Sequence, residues 1–248
     1  MDFESEFCAF LSAEGVGPGL FVPVPLVARD PIRATALSER LSPLAGSVSF
    51  VVEDRWRKGG EALRERILAH AGRFRSVYAR CCEVRRIDKP SAAAFLSAAH
   101  SYGDAACRYR YGVFFSEEMV AVGEFSQARR WLKPDGPVRS YEWVRYSSLP
   151  GVRVVGGMGK VLEAFANEVR PDDVMSYADL EWSDGGAYRA LGFALEGRRD
   201  PVMFAVDPDT WERRPLRPGE EPREGSLYYR NFGSLKYRKK YSWNEEKN

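Results

Sequence analysis

The chain has 248 residues, a formal net charge of +2 and a sequence pI near 8.3, and 44% of its residues are hydrophobic. This length suits one domain with an extension, or two small domains, and it can bury a sizeable core. No window approaches the roughly 18 apolar residues of a membrane span, and residues 1–4 lack the charge pattern of a signal peptide. We therefore expect a cytoplasmic protein with no membrane partner.

The cysteine and histidine content argues against metal and hydrolase chemistry. The four cysteines show no Cys-x-x-Cys spacing, and we interpret them as reduced thiols. The only histidines are His70 and His100, which is too few for paired zinc ligands, and no Gly-x-Ser-x-Gly elbow accompanies them. We predict no metal site.

Residues 1–76 are predicted to form a small extension of helices and one strand–helix unit. Apolar residues at helical spacing begin at Phe3, a β-prone run covers residues 47–52, and a helical pattern follows over 61–71. Glu53 and Asp54 come directly after the strand, and we interpret them as structural residues.

The middle of the chain predicts a helix over residues 90–99 and a hairpin. Two β-prone runs, residues 110–115 and 119–125, are separated by a short polar turn. Residues 127–137 are predicted to be a polar loop that borders a substrate cleft.

Residues 141–193 read as strand, glycine turn, helix, strand and helix. A β-prone aromatic run (141–146) is broken at Pro150 and Gly151, and a glycine turn (155–160) leads into apolar residues at 3.6-residue spacing. Such a turn presents unpaired backbone N–H groups and the positive end of a helix, which is how a chain holds a phosphate or a pyrophosphate.

Downstream of this stretch, residues 201–206 are predicted to be a final strand and residues 207–225 a charged loop. Residues 228–241 interleave aromatic side chains with cations, and we predict a basic aromatic tail.

The order of parts in residues 141–193 resembles the GNAT superfamily of N-acetyltransferases. Gly157 and Gly159 match the Gly-x-Gly part of the superfamily's glycine motif, whose first position, Gln or Arg, falls on Val154. Residues 188–193 match its Tyr-x-x-Leu-Gly-Phe signature. The resemblance implies a strand splayed from its neighbour to admit acetyl-CoA or another acyl-CoA, with the CoA pyrophosphate at the turn.

Within that superfamily the chain resembles the phage Mom-like DNA-modification proteins and the GNAT-like domains of phage homing endonucleases. The resemblance rests on four blocks: His100-Ser101-Tyr102-Gly103, Tyr141-Glu142-x-x-Arg145, Val155-Gly156-Gly157 and Ser176-Tyr177-Ala178-Asp179. It implies functional roles for Arg145 and Asp179, and it suggests a nucleobase in DNA or RNA as the acceptor.

We predict five catalytic residues: Asp179, Tyr188, Glu142, Arg145 and His100. Asp179 ends a strand, where it could accept a proton from an amine, or it could cap the following helix. The GNAT resemblance implies that Tyr188 returns a proton to sulfur; periodicity alone fits a core aromatic equally well.

Glu142 is an alternative proton acceptor. Because Glu142 and Arg145 are three apart on a strand, they can line one cleft only if a bulge intervenes, as the GNAT fold has at this strand. Arg145 could bind an anionic group or form a surface or interstrand ion pair. His100 could act as a base, or interact with the dipole at the end of a helix.

The predicted cofactor-binding residues are Val155, Gly156, Gly157, Met158, Gly159 and Lys160. Backbone N–H groups of this turn and the Lys160 ammonium would hold the pyrophosphate. The alternative is a tight strand-to-helix connection that needs glycine for close packing.

The predicted nucleic-acid-binding residues are Arg108, Arg110, Lys236, Arg238, Lys239 and Lys240. Cations bind phosphate and aromatic side chains stack on bases, so the predicted tail has a suitable composition. The alternative is a packing arm with solvated lysines.

Taken together, the sequence predicts an α/β fold with a GNAT-like mixed, mostly antiparallel sheet flanked by helices and a small α+β N-terminal extension. The predicted divisions are residues 1–76, a GNAT-like domain over 77–206, and a charged loop and tail over 207–248. We predict an acyl-CoA-dependent, Mom-like N-acyltransferase. The alternatives are a GNAT-like nucleic-acid-binding module of phage or mobile-element origin without transfer chemistry, and a protein-interaction scaffold.

Overall fold

The computed structural model describes residues 2–133, 136–217 and 219–243, and the chain forms two compact units. Unit 1 comprises the residues up to Arg64, Tyr177–Ala187 and Leu195–Lys236. Unit 2 comprises Glu65–Ser176, Tyr188–Ala194 and the described residues from Tyr237 onward. Each unit therefore draws on segments that lie far apart in sequence, and the division at residues 76 and 206 stays a prediction.

Across these ranges the helices are α1 (Phe3–Ala13), α2 (Pro31–Leu41), α3 (Glu53–His70), α4 (Lys89–Ala99), α5 (Gly157–Val169) and α6 (Gly186–Ala190). The strands are β1 (Phe21–Val24), β2 (Ser49–Val52), β3 (Arg75–Tyr78), β4 (Glu83–Arg86), β5 (Tyr109–Phe115), β6 (Glu118–Phe125), β7 (Arg129–Lys133), β8 (Gly136–Ser148), β9 (Val152–Val155), β10 (Asp173–Asp179), β11 (Ala194–Arg199), β12 (Met203–Val206), β13 (Arg213–Pro215), β14 (Leu227–Arg230) and β15 (Ser234–Lys240). No helix in the described ranges is long and apolar enough to cross a membrane.

The main sheet of unit 2 has the strand order β15-β10-β8-β6-β5-β4, with β7 paired to β8. The β4–β5, β5–β6, β6–β8 and β7–β8 pairs are antiparallel, and the β8–β10 pair is parallel. The predicted fold class, α/β with a mixed, mostly antiparallel sheet flanked by helices, is confirmed. A separate parallel pair joins β3 to β9.

Helices cover both faces of this sheet. Helix α4 packs against Val122 of β6, and Phe165 of α5 stacks on Phe125 of the same strand with ring centroids 4.0 Å apart. Because successive side chains of a strand alternate between faces, Val122 and Phe125 point to opposite sides. Gly123 keeps α5 close to the sheet, since a Cβ there would lie 2.6 Å from Val161 Cγ1.

Unit 1 is built from small sheets and helices. β1 pairs in parallel with β2, β12 pairs antiparallel with β13 and β14, and β15 lies between β10 and β11. The helix predicted at the N-terminus is confirmed as α1, whose Phe3 and Phe7 are buried against Trp56. A core containing Phe50 and Phe232 holds the sheets together.

The predicted hairpin is confirmed by β5 and β6.

Two segments that were predicted to be irregular contain strands instead. The polar loop predicted over 127–137 is wrong over Arg129–Lys133, which forms β7; residues 134 and 135 lie outside the described residues. Residues 228–241, predicted as a tail, contain β14 and β15, because burial of Tyr228 and Tyr237 ties them to the fold.

Candidate active site

A β-bulge on β8 decides where the predicted site residues point. Glu124 on β6 pairs with Arg145 and the next residue, Phe125, pairs with Trp143, so Val144 is an extra residue on β8. The extra residue places Glu142 and Arg145 on the same face of the sheet. The expectation that these two side chains share a face only through a bulge is met.

The parallel pairing of β8 with β10 is short. It covers three residue pairs and ends at Met175 and Glu142. At the next position the Ser176 hydroxyl donates to the carbonyl oxygen of Trp143 at 2.8 Å, and the Tyr188 hydroxyl lies 2.7 Å from Ser176 Oγ. Where the sequence predicts an open gap, the first position past the last pair is thus filled by the protein's own side chains.

Tyr188 lies in the interior of unit 2. Its ring stacks on Tyr237 with centroids 5.6 Å apart and meets Trp143 at 6.3 Å. Burial raises the pKa of Tyr188 above its ordinary value, while the hydrogen bond with Ser176 acts in the opposite direction. The phenol is therefore protonated near neutral pH, as a proton donor must be.

The glycine turn begins α5. Gly156 is the N-cap in a left-handed conformation (φ 80°), and no side chain caps the helix start. The first N–H groups of a helix have no partner within the helix, so this end can accept an anion. Gly157 permits close packing, because an added Cβ would stand 2.2 Å from the Tyr146 hydroxyl. Both predicted roles of the turn, anion binding and tight packing, fit this geometry.

Lys160 is already engaged by the chain itself. Its ammonium donates to the carbonyl oxygen of Ala79 at 2.8 Å and also to that of Cys82. This contact fastens α5 to the turn between β3 and β4 and occupies the ammonium group. The predicted pyrophosphate contact of Lys160 has no support in this geometry.

Two of the four sequence blocks, residues 100–103 and residues 141–145, meet at Arg145. Its Nε donates to the carbonyl of Gly103 at 3.2 Å, its Nη1 donates to the carbonyl of Val144 at 3.0 Å, and the guanidinium lies 5.7 Å from the centre of the Tyr102 ring. These partners are neutral, and within the described residues they do not form the predicted surface or interstrand ion pair.

His100 follows α4 and lies beside this arginine. Its Nδ1 accepts a hydrogen bond from the Tyr102 N–H at 3.1 Å, so that nitrogen carries no proton. Burial, with smaller effects of Arg145 and Arg66, lowers the pKa of His100 to about 3. The imidazole is neutral at physiological pH, and a cationic partner for the helix dipole is excluded.

A second set of residues at this site was not predicted from sequence. Glu124 is completely buried, its Oε1 lies 3.0 Å from Nε of Arg110, and Asp104 lies within hydrogen-bonding range. Burial first, and Asp104 second, raise the pKa of Glu124 to about 7. The sequence did hold a signal: in residues 118–125 the inward alternation of Val120 and Val122 ends on a glutamate, opposite an arginine of the same hairpin.

Asp179 lies in unit 1, whereas the other four predicted catalytic residues lie in unit 2. Its Oδ1 accepts the N–H of Glu181 at 3.0 Å, and its carbonyl accepts from the N–H groups of Trp182 and Ser183. Asp179 therefore closes the turn after β10, a capping duty close to the predicted alternative. In unit 2, Glu142 forms an ion pair with Arg129 at 3.3 Å.

Several predicted nucleic-acid-binding cations are used inside the fold. Arg110 is buried with Glu124, so it presents no surface to a phosphate. Arg238 binds Asp173 and donates to Ser140 Oγ at 2.9 Å.

The other four predicted cations are closer to the surface. Lys236 pairs with Glu196 at 2.7 Å, and Lys239 donates to the carbonyl of Leu191 at 2.8 Å. The two that are fully exposed are Arg108 and Lys240.

Comparison with known proteins gives distant structural likeness alone. No protein-family model matches the sequence, and the search of curated proteins gave no match. Solved GNAT acetyltransferases are similar to this chain in structure, at low sequence identity.

Three of these structures show how far the likeness extends. A histone-acetyltransferase-related protein from Corynebacterium glutamicum has 13% identity and a TM-score of 0.41, over 66% of this chain and 99% of that one. A GNAT acetyltransferase from Elizabethkingia anophelis, solved with acetyl-CoA, has 8% identity and a TM-score of 0.37, over 65% and 99%. A probable N-acyltransferase from Enterococcus faecalis has 10% identity and a TM-score of 0.38; the match covers 53% of this chain and spans 36% of that protein.

Proposed function

We propose that the chain is an acyl-CoA-dependent N-acyltransferase of the GNAT type. The observation that carries the proposal is the break in the sheet of unit 2. Parallel pairing of β8 and β10 ends at Glu142, and the bulge at Val144 follows two residues later on the same strand. A bulge takes a residue out of the regular ladder, and we propose that the backbone N–H at the bulge holds the carbonyl oxygen whose charge grows during acyl transfer. The N–H of Glu142 is not available for this role, because it donates to Ser126 Oγ at 2.9 Å.

The glycine turn at the start of α5 fits the pyrophosphate of acyl-CoA, whereas Lys160 does not. The start of α5 offers uncapped N–H groups beside Gly156 and Gly157, which suits a pyrophosphate. Lys160 donates to carbonyl groups of the chain, so we assign it no part in holding the group. When bound, acyl-CoA would supply the activated thioester.

The roles of the side chains follow from their positions. Tyr188 holds a phenolic proton in the interior of unit 2 and is our proposed proton donor to the leaving sulfur. Arg145 lies next to the bulge, where its guanidinium would orient an anionic part of the acceptor. Glu142 shares that face but is occupied by Arg129.

Calorimetry of the purified protein with acetyl-CoA tests this proposal. We expect saturable heat at micromolar to high micromolar cofactor, reduced when Gly157→Ala forces a Cβ into the Tyr146 hydroxyl. Gly197→Ala is a matched control, because an added Cβ there meets no atom within 4 Å and the backbone φ of Gly197 is not positive. Absence of heat with acetyl-CoA and with longer acyl-CoA thioesters would refute acyl transfer.

A second candidate is a nucleic-acid-binding module without transfer chemistry. The observation in its favour is the filled position past the last β8–β10 pair, where Ser176 and Tyr188 stand. Such a module would use the exposed Arg108 and Lys240. Its affinity should fall steeply with salt, and Arg108→Ala with Lys240→Ala should weaken it. An affinity that does not change with salt would refute this candidate.

The Mom-like version of the enzyme, with a nucleobase as acceptor, is a finer proposal. It is supported by the contact of Arg145 with Gly103 and Tyr102, which joins two sequence blocks of that resemblance into one cluster. Mass spectrometry of nucleosides from DNA or RNA treated with protein and acetyl-CoA tests it. Acylation of simple amines but not of nucleic acid would refute the nucleobase and keep the transferase.

A further inference from the structure

The carboxyl groups of Asp104 and Glu124 each have one oxygen without a hydrogen-bond donor in the described residues. Glu124 Oε2 and Asp104 Oδ1 are buried, and no hydrogen-bond partner for either atom is found in the described residues. Buried carboxylate oxygens without a donor are strongly unfavourable. Two carboxyl groups within hydrogen-bonding range resolve this cost if one of them carries a proton and donates it to the other.

The surroundings of the pair are defined on every side. Arg110 of β5 binds Glu124 Oε1, and Arg145 of β8 is the residue that pairs with Glu124 across the strands. The loop after α4 supplies Asp104 and the buried Cys107, whose pKa is raised to about 12 by burial and by Glu124. His100, at the end of α4, is neutral. With one proton on the pair, the carboxyl groups of Asp104 and Glu124 carry a single negative charge beside two arginines.

The position of the pair connects it to acyl transfer. Glu124 pairs with Arg145, next to the bulged Val144, and its side chain lies on the same face of the sheet as Glu142 and Arg145. Asp104 is partly exposed, so a proton can pass from it to solvent. Glu142, the base expected from the sequence, is paired with Arg129.

We propose that Asp104 and Glu124 share one proton and together form the base that accepts the amine proton during acyl transfer. This inference rests on the proposed function. As the nitrogen–carbon bond forms and the carbon–sulfur bond breaks, the proton on nitrogen moves to the unprotonated carboxylate of the pair. Tyr188 supplies the proton that the departing sulfur takes up, so protons balance.

The shared proton can be observed without any ligand. Infrared spectra of the full chain at pH 6 should contain a protonated carboxylic-acid band that fades as the pH rises through about 7. Burial also raises the pKa of Glu181 to about 7, so the band has a second contributor. Glu124→Gln should lower the band intensity by one carboxyl group, whereas Glu118→Gln, on the same strand but exposed, should leave it unchanged. A spectrum without the band, or an intensity that Glu124→Gln does not lower, overturns the shared proton.

The base role needs a second measurement on the same proteins. Glu124→Gln and Asp104→Asn should bind acetyl-CoA with unchanged heat and acylate a simple amine roughly 10²-fold more slowly than wild type. Wild-type rates in both variants overturn the base. If Glu124→Gln fails to fold, Asp104→Asn carries both measurements. If wild type keeps the infrared band but binds no acyl-CoA, the proposed function and the base role fail, and the shared proton stands.

Discussion

Each unit buries an arginine with carboxylates, and the two clusters differ in how completely the oxygens are bonded. In unit 1, Arg213 donates to both oxygens of Asp54, each at 2.6 Å. In unit 2, Arg110 reaches one oxygen of Glu124, and the other oxygen lacks a donor among the described residues. In a fully bonded cluster every carboxylate oxygen already accepts a hydrogen bond. In the unfinished cluster one oxygen has no donor and can bind a proton.

The unit 1 cluster shows what a purely structural arrangement looks like. Glu181 is fully buried and accepts the Tyr229 hydroxyl at 2.7 Å. Burial, then the neighbouring Asp179, raise the pKa of Glu181 above its ordinary value, and Arg213 opposes them. The sequence-based interpretation of Asp54 as a structural residue agrees with this arrangement.

The largest expected effect comes from breaking the fully bonded cluster. Asp54→Ala leaves Arg213 buried without its carboxylate, and removal of one partner of a buried pair costs roughly 3–5 kcal/mol of stability. Urea unfolding at pH 7 measures the change. A loss well below 1 kcal/mol would show that the pair does not hold unit 1 together.

The next effect tests the unfinished cluster by its pH dependence. The pKa of Glu124 is raised to about 7 from an ordinary 4.5, so the folded state binds more protons between these values. Its contribution to stability is full below pH 4.5 and is lost as the pH rises through 7. The difference in unfolding free energy between wild type and Glu124→Gln should show this slope; a flat difference curve would contradict it.

An effect of opposite sign is expected at His100. Its pKa in the fold is about 3, against an ordinary 6.5, so the unfolded state binds more protons in that window. The contribution is present above pH 6.5 and is lost as the pH falls. Wild type minus His100→Gln should therefore lose stability toward acid. A difference that grows toward acid would mean that the imidazole is charged in the fold.

The smallest effect is expected on the surface of unit 1. Lys58 and Glu212 form an ion pair at 3.1 Å, and their side chains are 47% and 73% exposed. Exposed pairs contribute little because water and salt screen them. Glu212→Ala should leave the urea midpoint unchanged within error, which makes it the reference for Asp54→Ala. A clear shift would place this pair among the structural contacts.

Local sequence patterns predicted the elements near the site. Elements that depend on pairing between distant parts of the chain were not predicted. The strand, glycine turn and helix around Gly157 follow from spacing within a few residues, and so does the hairpin of β5 and β6. The sequence did not show that β14 and β15 belong to the sheets, because their partners lie far away along the chain. It did not show which cations are buried, because Arg238 meets Asp173 only after folding.

The bulge likewise limited what the sequence could show about the positions of the candidate residues. Glu142 and Arg145 could be named from a motif, but their shared face depends on one extra residue, Val144, that no composition reveals. The buried position of Glu124 was visible in the alternation of β6, but its partner was not. Phe115 faces Glu118 at the turn, so a count of facing positions from there would pair Arg110 with Gly123. The register shift between Val113 and Phe114 brings Arg110 opposite Glu124 instead.

The tether of Lys160 has a consequence for how quickly an anion could settle at the start of α5. Two carbonyl groups of the turn from Ala79 to Cys82 hold the lysine, and Gly157 rests against Tyr146. A binding site that is already rigid loses little conformational entropy when it binds its ligand. Association there should be a single fast step limited by encounter, with no slow ordering phase behind it.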